Sequence, residues 1–454
     1  KEQAATAPAR TRYEGCTNVH STVVEGSSAW LETNIAALRP PENGDRVNYL
    51  KLLLIALTFH GTAVTAESWS GWSRQVVSLV ALRNSQPLNP LNPLCLAIRE
   101  YARTSFWGTW TGQKEIVLPL SQRHFAQPTA KGEMNVLEGQ IAWSKSERAD
   151  TIVFLPGIFQ AANHVIPASM AEKLSALGFH ILTLPAPFAD TYLQRLPFAA
   201  VGSFETEAQV YLQAIKGLKA LHPERIGKIH IVGLSYGGFL AAVMAATDNE
   251  QIIDGQVTLL SPTFHMSTTQ RLIDEMVERG FKQPWKYPCS RAAASQTLPD
   301  IIRFTNALFG QYQAHRHQPW WSQRFSPQAR AEFDRVRALD PGARKTWEES
   351  LGFQNVLRRY TSENLHYYAQ EQDRIAYWLG VARERGFTRF RWLSAKDDFL
   401  NDPSELDQEA VVPAWLKDPQ VGLLINDGSH FSYVNWTVGH TSWFNWFLEA
   451  AFLK

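Results

Sequence analysis

The amino-acid sequence predicts an α/β protein in which a mostly parallel central sheet is flanked by helices, with a helical insertion and a helical N-terminal extension. Three observations lead there. From about residue 115, short apolar runs alternate with longer stretches of helical period, the texture of a parallel sheet joined by crossover helices. A glycine-bracketed serine, Gly233-Leu234-Ser235-Tyr236-Gly237, stands where one apolar run ends and a small-residue helical run, FLAAVMAA, begins. Between about residues 264 and 385 the strand series stops and helical patterns take over.

Residues 1–113 form the extension. The opening KEQAATAPARTR lacks apolar periodicity and reads as a mobile tail. Helices are expected near 47–59, 72–83 and 94–104, the last two separated by the turn-rich SQPLNPLNP. The most apolar run, LLLIALTF at 52–59, falls far short of the roughly 20 residues a bilayer span needs and reads as a buried helix. The first part of the core, 114–263, holds strand candidates at 115–120, 139–145, 150–157, 180–186, 228–235 and 255–262. A helix near 204–221 places Val210, Leu212, Ile215, Leu218 and Leu221 at close to a 3.6 period, so it covers one sheet face. The insertion at 264–385 is expected as a cap over the site. The second part of the core, 386–454, adds strand candidates at 388–395 and 421–426. No repeat of fixed period is visible, which argues against a solenoid or propeller.

Composition bounds the function. The chain has 454 residues, 45% hydrophobic and 19% charged, which excludes a largely disordered protein. With 44 Lys plus Arg against 43 Asp plus Glu, no global field gathers nucleic acid or an anionic membrane. The expected partner is a small molecule; oligomeric state stays open. Cys16, Cys95 and Cys289 show no metal-ligand spacing and read as isolated thiols. In an exported protein, Cys16 with Cys95 is the first pairing to consider. The sequence starts at Lys1 rather than Met, compatible with a removed signal segment or a trimmed chain, and leaves a lean toward export.

The chemistry centres on Ser235. A serine on a tight strand-to-helix turn needs glycine at the flanking positions, because side chains there collide, and the turn pushes the hydroxyl over the C-terminal edge of the sheet. A helix N-terminus beneath it favours developing negative charge. On this G-x-S-x-G motif and its context, residues 115–262 and 386–454 resemble the α/β-hydrolase superfamily, in its broad esterase, lipase and aminopeptidase group. The resemblance implies a triad in the chain order serine, acid, histidine. It points to Asp397 or Asp398 in RWLSAKDDFLNDP as the acid, Asp397 being favoured by its distance from the end of the strand, and to His430 in INDGSHF as the base. It also implies an oxyanion hole made by the backbone N–H of Tyr236 and by one from the loop Phe154-Leu155-Pro156-Gly157-Ile158-Phe159-Gln160, with Ile158 the candidate and Phe159 the alternative. Proline stands here where that family usually carries histidine.

Other features carry less. His315 and His317 lack a partnering cysteine or carboxylate pattern and read as solvated cap residues. Trp320 and Trp321 are candidate pocket-lining residues, whereas Trp443, Trp446 and Phe447 sit at helical spacing and read as core. No nucleotide-binding glycine pattern is present, and no metal or organic cofactor is expected. The sequence therefore reads as a serine hydrolase of carboxylic esters with an apolar acyl or alcohol group. Acyl transfer, thioester or peptide hydrolysis on the same scaffold are the enzymatic rivals, and a silent binding protein that keeps the fold is the rival of another class.

Overall fold

A computed structural model of the chain describes residues 94–95, 97, 112–120, 136–195, 202–317, 327–349, 370–395, 397–401, 413, 415, 423–426 and 429–431. The expected helices at 47–59 and 72–83, most of that at 94–104, and Cys16, Trp320, Trp321, Trp443, Trp446 and Phe447 lie outside the described residues. The first half of the described chain runs β1 (Lys114–Pro119), β2 (Val136–Ala142), β3 (Ala149–Leu155), α1 (Val165–Ala176), β4 (His180–Thr183), α2 (Asp190–Arg195) and α3 (Phe204–Leu221). It continues through β5 (Ile226–Leu234), α4 (Tyr236–Thr247) and β6 (Val257–Leu260). Then come α5 (Met266–Lys282), α6 (Pro288–His315), α7 (Pro327–Arg337), α8 (Pro341–Glu349), α9 (Ile375–Glu384), β7 (Phe390–Ala395) and β8 (Leu423–Asn426).

Each of the eight expected strands is present, and they join one sheet in the order β1-β2-β4-β3-β5-β6-β7-β8. β2 pairs antiparallel with both β1 and β4, and the remaining pairings are parallel, so β2 alone runs against the others. The central strands are apolar without alternation because helices cover both faces: β6 is buried throughout and β5 from Ile229 onward. α4 explains its own composition in the same way. Every residue from Tyr236 to Ala246 is buried, so the helix is apolar all round, and its alanines and glycines let it pack closely on β5, β6, α3 and α9. α3 is amphipathic, with Tyr211, Ile215 and Leu218 inward and Lys216 and Leu221 outward.

The helices α5 to α9 fill the interval between β6 and β7, where the sequence predicts an insertion. No described helix is long and apolar enough to cross a membrane. The cysteine reading is corrected. Cys95 and Cys289 form a disulfide with their Cα atoms 5.2 Å apart, across 194 positions of sequence, so Cys95 is neither an isolated thiol nor the partner of Cys16. The bond ties the segment at 94–97 to the first turn of α6.

Candidate active site

The site starts at the C-terminal end of β5. Ser235 takes φ 55° and ψ −119°, a left-handed region that non-glycine residues enter only when the surroundings hold them there. The holding groups are explicit. The Ser235 N–H donates to the Leu260 carbonyl of β6 at 2.9 Å, and the Ser235 carbonyl accepts from Gly238 at 2.9 Å and Phe239 at 3.1 Å in the first turn of α4. A Cβ at Gly233 would run into the Gly237 carbonyl, and one at Gly237 into the Leu155 carbonyl, so both glycines are steric necessities. Although serine commonly caps a helix with its hydroxyl, Ser235 makes no such side-chain bond to α4.

His430 and its carboxylate partner come from the other end of the sheet. His430 is 1% exposed and follows β8, while Asp398, 3% exposed, lies in the turn after β7. The Nδ1 of His430 stands 3.0 Å from Oδ1 and 2.9 Å from Oδ2 of Asp398. Asp398 also accepts from the Leu400 N–H at 2.9 Å and from Asn401 Nδ2 at 3.0 Å. The preference for Asp397 is thereby corrected: Asp397 is half-buried in the same turn, and it is Asp398 whose carboxylate reaches the imidazole. Successive residues leaving a strand point in different directions, so only one of two adjacent aspartates can face the histidine.

Asn401 has no counterpart in the sequence reading. Its Nδ2 donates to the Pro262 carbonyl at 2.9 Å as well as to Asp398, and its Oδ1 accepts from the Phe264 N–H at 2.9 Å. It therefore locks the Asp398 turn onto the loop that follows β6. The signal was available as an Asx residue three positions beyond the acid, in a segment rich in turn formers.

Ser235 and His430 line one cavity of about 450 Å³. The loop after β3 lines it as well. A Cβ at Gly157 would stand 3.5 Å from the Ser235 Cβ, so that backbone passes directly beside the serine. The Gly157 N–H donates to Gln160 Oε1 at 3.2 Å, and Phe159 is turned to φ 65°. Ile158 and Phe159 both line the cavity. Ile273 and Met276 of α5 and Ala293, Thr297, Asp300 and Arg303 of α6 also line it, as do Leu94 and Ala97, which flank the disulfide-bonded Cys95.

The wall is apolar over most of its length and charged at one end. There Arg303 pairs with Asp300, and Asp190 and His164 stand close by. Burial, and then the neighbouring Arg303, push the His164 imidazole below its ordinary pKa, which keeps it neutral near pH 7. Its Nδ1 accepts from the Ile166 N–H at 3.4 Å at the start of α1. Burial raises the Asp300 carboxyl, against the opposing pull of Arg303.

The strand order, the one reversed strand among the described ones and the serine on a strand-to-helix turn define the α/β-hydrolase fold. Solved structures similar to the chain include a thermostable carboxyl esterase from Bacillus coagulans (13% identity, 70% of this chain and 90% of that one, TM-score 0.37). They also include an acylaminoacyl peptidase from Pyrococcus horikoshii (12% identity, 73% of this chain and 39% of that one, TM-score 0.38) and an esterase from Pyrococcus furiosus (13% identity, 71% and 86%, TM-score 0.38). The topology of this chain carries the fold assignment, and likenesses at such TM-scores add nothing to it. No protein-family model matches the sequence, and no curated protein matches it.

Proposed function

We propose that the chain is a serine hydrolase that cleaves carboxylic esters through an acyl-serine intermediate, with Ser235 as nucleophile, His430 as general base and Asp398 as the orienting acid. One observation carries the reading: a serine held at positive φ on a strand-to-helix turn shares a cavity with a buried histidine whose Nδ1 is bound by a buried carboxylate. A serine hydroxyl attacks only when a neighbour accepts its proton, and His430, in the tautomer with its proton on Nδ1 toward Asp398, offers Nε2 for that purpose. Asp398 fixes this tautomer and stabilises the imidazolium as it forms. The Ser235 oxygen attacks the ester carbonyl carbon, and negative charge moves to the carbonyl oxygen. The backbone N–H groups of Tyr236 and Ile158 receive that charge. Collapse expels the alcohol with the proton returned from His430, and water repeats the sequence to release the acid.

An apolar acyl or alcohol group fits this cavity, because Leu94, Ala97, Ile158, Phe159, Ile273, Met276 and Ala293 are among the residues that line it. In this reading α5 and α6 act as the cap. The test is hydrolysis of a p-nitrophenyl ester by Ser235→Ala: turnover is expected to fall on the order of a million-fold, as for removal of a serine nucleophile elsewhere, in a protein that keeps its fold. Residual activity within about tenfold of wild type removes Ser235 from its role.

A further inference from the structure

We propose that Glu207 is a positioning residue for the oxyanion-binding amide of Tyr236, anchoring the Tyr236 side chain from beneath and so setting the first turn of α4 against the substrate carbonyl. The inference rests on the hydrolase reading above and names a part of that site which the triad does not contain.

Glu207 is an acidic residue at 0% exposure, on the inner face of α3. Burying a carboxyl is costly unless its oxygens are bonded, and both are. Oε1 accepts from the Gly202 N–H, and Oε2 accepts from the Tyr236 hydroxyl. Tyr236 immediately follows Ser235 and is the first residue of α4. Its ring is therefore held at one end by the α4 backbone and at the other by Glu207. The ring edge also meets Phe188 at 5.1 Å between centroids, and Phe188 meets Phe159 at 6.3 Å. Phe159, itself half-buried, adjoins Ile158, the second amide of the proposed oxyanion hole, so both donors lean on one aromatic cluster. Phe304 of α6 closes the cluster, 5.4 Å from Phe188 and 6.2 Å from Phe159.

The protonation state fits this role. Burial pushes the Glu207 carboxyl up to about 8, opposed by the bonds from Tyr236 and Gly202. Tyr192 of α2 and Tyr211 of α3 face the same carboxyl, and their own hydroxyls are driven up by burial first and by Glu207 in addition. Near neutral pH the carboxyl is uncharged: one oxygen carries the proton and keeps a lone pair that can accept, and the other accepts as a carbonyl. Above about 8 it ionises, and a negative charge then stands behind the amide that must receive the oxyanion. Such a charge opposes the transition state more than the bound substrate, so it lowers kcat rather than raising KM.

The test compares Glu207→Ala, Glu207→Gln and Tyr236→Phe in ester hydrolysis from about pH 6 to about pH 10, with fluorophosphonate labelling of Ser235 in parallel. Glu207→Ala is expected to lose about ten- to a hundredfold in kcat, a part of the 10²–10³ lost with a whole oxyanion donor, at a KM within about threefold. Glu207→Gln, which keeps an acceptor and the side-chain volume, is expected to recover most of that loss and to lack the decline of wild-type kcat above about pH 8. Should Glu207→Ala fail to fold, Tyr236→Phe carries the test, since it removes one hydroxyl, and the same loss weighted to kcat is expected. A kcat within about twofold of wild type in Tyr236→Phe, or an alkaline decline retained in Glu207→Gln, overturns the proposal. A wild type that labels at Ser235 while the variants match it removes this inference alone. A wild type that neither labels nor turns over esters removes the hydrolase reading and this inference with it.

Discussion

Replacing Asp398 by asparagine puts the orientation of His430 to a quantitative test. The carboxylate accepts from three donors: Leu400 N–H, Asn401 Nδ2 and His430 Nδ1. An asparagine amide offers only one oxygen, so its nitrogen must take the place of Oδ1 or Oδ2. In the first case it faces the Leu400 N–H, and in the second the Asn401 amide, with His430 Nδ1 alongside in both. A donor then meets a donor in a buried site, which the imidazole relieves by moving its proton from Nδ1 to Nε2. That tautomer cannot accept the serine proton. In the serine protease template the corresponding change costs about 10⁴ in turnover, equivalent to roughly 5.5 kcal/mol of barrier at about 1.4 kcal/mol per decade. Asp398→Asn should show that loss in kcat for p-nitrophenyl ester hydrolysis, while half-buried Asp397→Asn should stay within about fivefold of wild type. Near-UV circular dichroism checks that both variants are folded. A larger loss at Asp397, or small losses at both, refutes the assignment of Asp398.

Cys289→Ser opens the covalent tie between the 94–97 segment and α6, and is expected to lower stability by about 2–5 kcal/mol, read as a reduced denaturant midpoint. Glu207 sets an alkaline limit on stability. Its folded pKa of about 8 lies above the ordinary 4.5, so the folded state holds a proton the unfolded state has lost; the contribution is complete below 4.5 and gone above about 8, on the order of 5 kcal/mol in all. Tm should therefore fall between about pH 4.5 and about pH 8, and Glu207→Gln should flatten the slope; an unchanged slope contradicts it. Enlarging Met276 or Ala293 to phenylalanine narrows the cavity, and is expected to lower kcat/KM for long-chain esters at least tenfold more than for acetate esters.

Much of the fold was legible because the strands that build it are buried on both faces. The runs ending in Leu155, Leu234 and Leu260 have nothing but apolar or small side chains near their C-terminal ends, and the structure places strands there. The order of those strands was not legible. Setting β3 between β4 and β5, and reversing β2, are decided by long-range pairings that leave no periodic trace in a single strand. The tight turn at Ser235 was readable because its glycines answer a steric demand, and the place of His430 after a late strand because of the glycine-containing loop around it. The choice between Asp397 and Asp398 turned on backbone direction after Ala395, which spacing does not encode. The disulfide closes across 194 positions, a distance at which the spacing of three cysteines says nothing about partners. Glu207 escaped notice for a related reason. Within FETEAQVY it has the look of a solvated helix residue beside Glu205, yet α3 turns it inward beneath Tyr236.

The central claim is that Ser235 is an activated nucleophile, and labelling of the folded protein by a fluorophosphonate, followed by intact-mass and peptide mass spectrometry, tests it most directly. One adduct per chain on Ser235, none on Ser235→Ala, and labelling slowed in Asp398→Asn are the predicted results. Folded wild-type protein that takes up no adduct, or that carries it on another residue, contradicts the account.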